Sequence, residues 1–549
     1  MPVPRKSPPR PRFEPRWFAI LAAIFAVALA IRLYGVFQFG FGYDGPDSFL
    51  VINYDEAGGC RALLGGRKYN TFVGYQILFI QKLMGEGPQP EHEGEGNWRK
   101  FCHSRASLVV HRVYSAVTGA LTVVLLGVLA LLMWPDRPHI AWTACALLGL
   151  SNMHVAHSHF GTVDAPQLFF IGLLTVALGY AIVFERRWPL WISPLLLIAA
   201  IWTKSNVFTV FAFVPMLPDL KLGKYWKEYT MALVGLFFLW SLIGGQETIV
   251  SVVNQRSGLL WGGETSRFGT GYGHIGTWRR WIRNGINLPV VHIVGISLPA
   301  FLAAVYGLKK AFKTRSEKPA EWRLWLLQTP AVGYFFYMLL IAPPTYYRYY
   351  LPLFPTVALL AAYGFWQSRW ASNKVLVALF LLYPALLTLD SEYNYANDPR
   401  NKVASWLDST PNGRKTKIMA TYYSGLPYGV RFIPFSYMPQ VASDALDKYK
   451  IHGADFLKTA EYLILNESWY DTAFSSELNG PFGWKPEWAI KTTPLAARTY
   501  RRILAGEEPA LELERAITLK HFTPEMLVHR WCYGSFPMFV SDLMIYRVK

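Results

Sequence analysis

The feature that most constrains this chain is a succession of long apolar runs with almost no charge. Trp17–Leu33 is broken only by Arg32, and Val113–Trp134, Ile140–Met153 and Ala165–Phe184 carry none. The Val113 and Ala165 runs reach the roughly 20 residues that a bilayer crossing needs. Trp188–Pro218 is 31 residues long with Lys204 as its sole charge. It is flanked by Glu185-Arg186-Arg187 before and by Lys221, Lys224 and Lys227 after. Two basic flanks belong on the same side of a membrane, so this stretch is expected to go out and back as two short helices meeting near Lys204.

Further runs at Met231–Gly245, Ile286–Leu308, Leu324–Ala342, Tyr349–Gln367 and Val375–Leu389 bring the expectation to about 11 transmembrane helices. An odd number with the N-terminus inside leaves the end of the chain outside. The inner segments this implies (1–16, 134–139, 185–189, 218–229, 309–323 and 368–374) hold 19 Lys/Arg against 7 Asp/Glu, the bias that sets membrane orientation. With 52% hydrophobic and 16% charged residues, the chain falls in the membrane class and does not read as a single soluble core. The net charge of +18 sits in short clusters between apolar runs and does not form a nucleic-acid-binding face. The first run is longer than a signal-peptide core and lacks a small-residue cleavage site, so it reads as a retained anchor.

The expected organisation is a basic cytoplasmic tail over 1–16 and a transmembrane domain over 17–390 with outer loops at about 42–112 and 246–285. An extracytoplasmic α/β domain over 391–549 follows. Its expected elements are a helix at Asp398–Leu407 and strands at Lys417–Tyr423, Glu461–Asn466 and Leu543–Val548. The fold class is therefore a mostly α polytopic membrane protein with a C-terminal α/β domain.

Candidate chemistry gathers at one face. Asp55-Glu56, in YDEAGG, is an adjacent acid pair in the first outer loop. Asp164, in HSHFGTVDAPQLFF, stands at the outer mouth of a transmembrane helix behind His154, His157 and His159. Acids at membrane depth are costly and functional by default, although Asp164 before Ala165-Pro166 also suits a helix start. Histidines at the end of an apolar helix more often make structural hydrogen bonds, and that reading covers at least two of the three. Asp55 and Asp164, with a histidine, also offer a divalent metal ligands of the right kind, at a spacing of low specificity.

Lys204, within 31 otherwise uncharged residues, needs an anionic partner or a wet cavity, unless it snorkels to the interface. Arg348 and Tyr349 open another outer helix mouth, and Arg267, His274, Arg279 and Arg280 lie in the second outer loop. Arginine and lysine together suit a phosphate, one as a fork and the other as a point charge. Carboxylates and cations at one face are what sugar transfer from a lipid phosphate requires, namely a base for the acceptor hydroxyl and cations for the departing phosphate. A transporter or lipid flippase is the alternative use of the same charges. It is disfavoured because no internal repeat is visible and the charges are not spread through the depth.

The stretches YDEAGGCRALLGG, SRASLVVHRVYSAVTGALTVVLLG, HSHFGTVDAPQLFF, AIWTKSNVF, RYYLPLFPTVALLAA and DPRNKVASWLDSTP, in that order, resemble the polyprenyl-phosphate-sugar-dependent glycosyltransferases of the GT-C fold. The likeness is to the protein O-mannosyltransferase and aminoarabinose transferase branches. It implies a hexosyl- or pentosyltransferase of the bacterial or archaeal cytoplasmic membrane that takes a polyprenyl-phosphate-linked donor and a hydroxyl-bearing acceptor. It implies Asp55 as the general base with Glu56 and Asp164 beside it, and Lys204 and Arg348 on the lipid phosphate. Tyr349, His157, His159, Arg267 and His274 fall among the expected donor-binding residues. The chain lacks the acceptor-domain signature of the eukaryotic mannosyltransferases and the lysine-proline-proline motif of the aminoarabinose branch, so the acceptor stays open among glycan, lipid and protein. Cys60 and Cys102 share the first outer loop, where an oxidising compartment permits a disulfide.

Overall fold

A computed structural model describes residues 14–37, 56–65, 71–94, 97–204, 206–221, 225–228, 230, 234, 277–340, 347–421, 424–427, 430–435, 453–467, 494–533 and 541–549. Asp55, Arg267, His274 and the Met231–Gly245 run lie outside the described residues, apart from the single position 234.

The helices in chain order are α1 (Pro15–Val36), α2 (Gly58–Leu63), α3 (Phe72–Leu83), α4 (Trp98–Cys102), α5 (Arg105–Met133), α6 (Pro138–Gly149), α7 (Asn152–His159), α8 (Asp164–Phe184), α9 (Trp188–Thr203) and α10 (Leu217–Lys221). There follow α11 (Thr277–Ile296), α12 (Leu298–Glu317), α13 (Pro319–Trp325), α14 (Thr329–Leu340), α15 (Phe354–Trp366), α16 (Lys374–Ala396), α17 (Asn401–Asp408), α18 (Ala454–Leu457), α19 (Pro494–Leu504) and α20 (Pro524–Tyr533). Among the described residues, four helices are long and apolar enough to cross a membrane: α1, α5, α8 and the helix starting at Lys374. A fifth crossing is reached if the bent pair around Ser297 counts as one. The protein is a multi-pass membrane protein.

The 29-residue α5 runs through the core, against α1 on one side and α8 on the other. Ser104 starts it, its hydroxyl accepting from Ser107 N–H at 3.2 Å, which satisfies one of the donors every helix N-terminus leaves open. The long run after Arg187 breaks at Lys204, whose extended backbone ends α9 before a 3₁₀ segment, Val207–Met216. Ile286–Leu308 is not one straight span, because α11 and α12 meet at 118°. Ser297 makes the corner at φ 91°, and its hydroxyl caps α12 by accepting from Ala300 N–H at 3.4 Å. α12 then packs closely on α15. A Cβ at Gly307 would fall 2.0 Å from the Leu360 carbonyl oxygen, and one at Gly364 2.1 Å from that of Ala303. In lipid, where apolar burial gives helices no drive to associate, such backbone contact through small residues is a main source of attraction.

Beyond α16 the described residues form a five-stranded sheet of order β2-β1-β3-β5-β4, with β1 Ile418–Ala420, β2 Phe432–Pro434, β3 Tyr462–Asn466, β4 Leu511–Ile517 and β5 Leu543–Val548. β1 is parallel to β2 and β3, whereas β5 is antiparallel to β3 and β4. The central β3, YLILN, is buried at every position because apolar clusters cover both faces of the sheet, around Leu463 and Leu465 on one side and Ile464 and Trp406 on the other.

Candidate active site

The segment that follows Asp55 is fastened to the rest of the protein in three ways. Glu56 is fully buried, and its carboxylate accepts from Arg112 of α5, Nε to Oε1 at 2.8 Å and Nη2 to Oε2 at 3.0 Å. The same Oε1 accepts from Gly161 N–H at 3.0 Å, and Ala57 N–H donates to the Gly161 carbonyl at 3.0 Å. Cys60 and Cys102 are joined as a disulfide, Cα–Cα 5.9 Å, which ties α2 to α4 just before α5 begins. Gly161 is required at this crossing, since a Cβ there would meet His111 Cβ at 2.6 Å. Ala57 itself holds a left-handed φ of 53°, a conformation a side chain takes only where its surroundings enforce it. Gly161 lies in the turn between α7 and α8, three residues before Asp164. The segment that begins at Glu56 and the loop that carries Asp164 are thus joined by hydrogen bonds.

Glu56 stands among the catalytic residues in the sequence reading, yet both its oxygens are engaged and the side chain has no exposure. Its carboxylate is held inside the protein by Arg112 and Gly161.

Asp164 begins α8 and forms an ion pair with Lys204, whose carbonyl accepts from Gln167 Nε2 at 2.7 Å. The other oxygen of Asp164 accepts from Thr162 Oγ1 at 3.0 Å. The lone lysine of the long run therefore has an anionic partner on the neighbouring helix. Its ammonium also lies over the Tyr349 ring, 4.4 Å from the centroid, and the Arg348 guanidinium lies 5.4 Å from the same centroid. A ring next to two cations lends each the attraction of its negative face. Asp164, Lys204 and Arg348 together carry a net charge of +1, with Lys204 partly open to the surface. One turn further along α8, a cavity of about 50 Å³ is lined by Leu168, Ile171, Gly172, Asn206, Pro352 and Thr356.

The three histidines of α7 separate into different tasks. His159 is buried with both ring nitrogens engaged, Nδ1 with the Arg32 carbonyl and Nε2 with Glu392 Oε1 of α16, each at 2.7 Å. Both its ring nitrogens are thus taken up inside the protein. His154 Nδ1 is 2.6 Å from Arg32 Nη2, so these two histidines join α1, α7 and α16. His157 packs edge-on against Phe160. Burial, reinforced by the nearby Arg348 and Lys204 and opposed by Asp164, pushes its imidazole from the ordinary 6.5 down to about 3. It is neutral at physiological pH. Folding linked to a depressed histidine is strongest above 6.5 and weakens as the pH falls toward 3, because only the unfolded chain takes up the proton in that window. The melting temperature in detergent is therefore expected to drop between pH 7 and pH 4, with a smaller drop in His157→Gln. An equal drop in both would remove His157 from that dependence.

Sequence reasoning missed Arg112, Arg32 and Glu392. Each is a charge inside or at the end of an apolar run, the signal that singled out Lys204, and each now has its carboxylate, carbonyl or imidazole partner. Among the described residues, no group of three or more His, Cys, Asp or Glu is arranged to hold a metal ion. Both oxygens of Asp164 accept from protein donors, and Asp55, the other expected ligand, lies outside the described residues.

Residues 79–243 match the family model of dolichyl-phosphate-mannose-protein mannosyltransferase. That stretch holds Arg112, Gly161, Asp164 and Lys204. Among solved structures, the chain is similar to ArnT from Cupriavidus metallidurans bound to undecaprenyl phosphate, at 11% identity and a TM-score of 0.43, over 96% of this chain and 98% of that one. It is also similar to the Archaeoglobus fulgidus oligosaccharyltransferase in complex with zinc and sulfate, at 10% identity and a TM-score of 0.41, over 82% of this chain and 69% of that one. Comparison with curated proteins finds no match.

Proposed function

We propose that the protein is a membrane glycosyltransferase that moves a monosaccharide from a polyprenyl-phosphate carrier to an acceptor hydroxyl on a glycan, lipid or protein. The observation that carries this reading is the fastening of Glu56, the residue after Asp55, through Arg112 and Gly161 to the loop that presents Asp164 beside Lys204, Arg348 and Tyr349. A base, here Asp55, and a cationic cluster are the two parts that transfer from a lipid phosphate needs.

In this reading Asp55 takes the proton of the acceptor hydroxyl. The oxygen attacks the anomeric carbon from the side opposite the phosphate, so the configuration inverts as the carbon–oxygen bond to phosphate breaks. The bonding electrons leave with the phosphate, and Lys204 and Arg348 stabilise the growing charge, the ammonium as a point charge and the guanidinium as a fork. Asp164 keeps Lys204 in place and lowers the cluster to one net positive charge, which favours binding without holding the product too tightly. Tyr349 orients both cations. The small cavity beyond Leu168 suits the first carbons of the prenyl chain. The match of residues 79–243 to the mannosyltransferase model supports the same chemistry on the stretch that bears Asp164 and Lys204. About eleven crossings, an inner N-terminus and an outer C-terminal α/β domain, in a bacterial or archaeal cytoplasmic membrane, complete the proposal. Arg267 and His274 remain in it as second-loop donor contacts.

A charge-assisted hydrogen bond contributes about 1.5–3 kcal/mol, so Arg348→Ala is expected to weaken binding of polyprenyl phosphate roughly 10- to 100-fold. Lys204→Ala does the same, and pairing it with Asp164→Asn avoids leaving a buried acid without its cation. Isothermal titration with undecaprenyl phosphate in detergent reads the effect. Unchanged affinity removes the residue from the phosphate site.

A further inference from the structure

The segment before and within α20 belongs by sequence to the C-terminal unit, yet its contacts lie among the membrane helices. Asp390, near the end of α16, accepts from Phe522 N–H at 2.8 Å and from Thr523 N–H and Oγ1 at 2.7 Å each, and pairs with His521 at 2.7 Å. Met526 is buried in the same apolar cluster as the membrane helices, 3.7 Å from Asn152 Nδ2 of α7. Glu525 bridges two of those helices, its Oε2 accepting from Tyr383 of α16 at 2.7 Å and its Oε1 from Leu298 N–H at the start of α12 at 3.4 Å. Tyr383 sits mid-way along the uncharged stretch Val375–Leu389. The six helical steps from Tyr383 to Leu389 span roughly 9 Å, against a hydrocarbon half-thickness of about 15 Å.

On the outward side the same segment shows Phe522 at 49%, Leu527 at 49% and Val528 at 56% exposure. The helices that Glu525 joins are likewise apolar on the outside, with Leu298, Leu302 and Val305 exposed on α12 and Leu382 and Leu386 on α16. In a span those surfaces face acyl chains, and an apolar face on a segment whose Glu525 bonds Tyr383, half-way along the uncharged stretch of α16, meets the same solvent. We propose that residues 522–528 are inserted into the bilayer, so that the C-terminal unit is anchored by a lipid-embedded element and not merely poised above the membrane. Glu525 then reads as the acid that an embedded helix start must satisfy inside the protein, and it is satisfied by Tyr383 and Leu298. Arg530 carries the anchor back to the sheet, pairing with Asp542 before β5 and with Glu467 after β3. The inference needs only that α12 and α16 face lipid, and it stands independently of the reaction.

The test places the photoreactive residue p-benzoylphenylalanine at position 528, and in separate variants at 527 and 522, in the full chain reconstituted into phosphatidylcholine nanodiscs. Leu513, 52% exposed on the edge strand β4 between Glu512 and Glu514, is the control. Proteins that elute as a single species are irradiated and analysed by mass spectrometry. Phosphatidylcholine adducts at 528 and 527, several-fold above those at 513, are expected. Adducts at 522, 527 and 528 no more abundant than at 513 would overturn the proposal.

Discussion

Asp55→Asn is expected to lower the rate of sugar transfer by about 10²–10⁴, the range that a positioned general base contributes. The replacement keeps the shape of the side chain and removes its ability to take a proton. Binding of undecaprenyl phosphate should persist, because the cations that hold the phosphate sit on other elements, at Lys204 and Arg348. Single-turnover transfer and donor titration on the same preparation separate the two effects. Wild-type turnover in Asp55→Asn would take the base away from this residue. Loss of donor binding together with turnover would assign Asp55 to the phosphate site.

The second large effect is expected at Arg112. Its guanidinium and the Glu56 carboxylate are both fully buried and make two hydrogen bonds to one another. Arg112→Met leaves Glu56 charged and buried without its partner, which costs about 3–5 kcal/mol when a buried ion pair is broken from one side. Replacing both members, as in Arg112→Met with Glu56→Gln, removes the charge and is expected to recover much of that loss. Thermal unfolding of the two variants in detergent reads the difference. Transfer should stay low in the double variant even where stability returns, because the link from the Asp55 segment to α5 is gone. A single variant that melts no lower than the double one would show that the pair contributes nothing as a pair. Full transfer by a stable double variant would show that the fastening is dispensable for the site.

The apolar runs were legible because a bilayer leaves the sequence little choice, and the break at Lys204 followed from charge on the two flanks. The corner at Ser297 was not legible. Ser297 before Leu298-Pro299 suits a helix start, but nothing in the uncharged run says that the chain turns by 118° there. The strands β3 and β5 announced themselves as short apolar runs. β4, LELERAI, was passed over, since five of its seven residues are exposed at the sheet edge and polar ones outnumber apolar ones among them.

In the site, the sequence supplied the residue types and left their pairing open. Asp164 and Lys204 stand 40 positions apart, and Glu56 and Arg112 stand 56 apart. Spacing says nothing about such partners. The histidines show the same limit, because HVAHSH offers three similar rings and only the surrounding helices decide that His154 and His159 meet Arg32 while His157 faces the cationic cluster. Glu56 was read beside Asp55 as one acid pair, and adjacency in sequence does not reveal that Arg112, 56 positions on, holds its carboxylate.

The central claim is that a sugar leaves a lipid phosphate at this site. The direct measurement incubates the purified full-length protein with a radiolabelled polyprenyl-phosphate sugar and a membrane extract that supplies acceptors, followed by separation of the labelled species. The account predicts a new labelled product that forms with the wild-type protein and fails to form with Asp55→Asn. Label that remains wholly in the donor, or donor that moves between leaflets of a vesicle without chemical change, would contradict it.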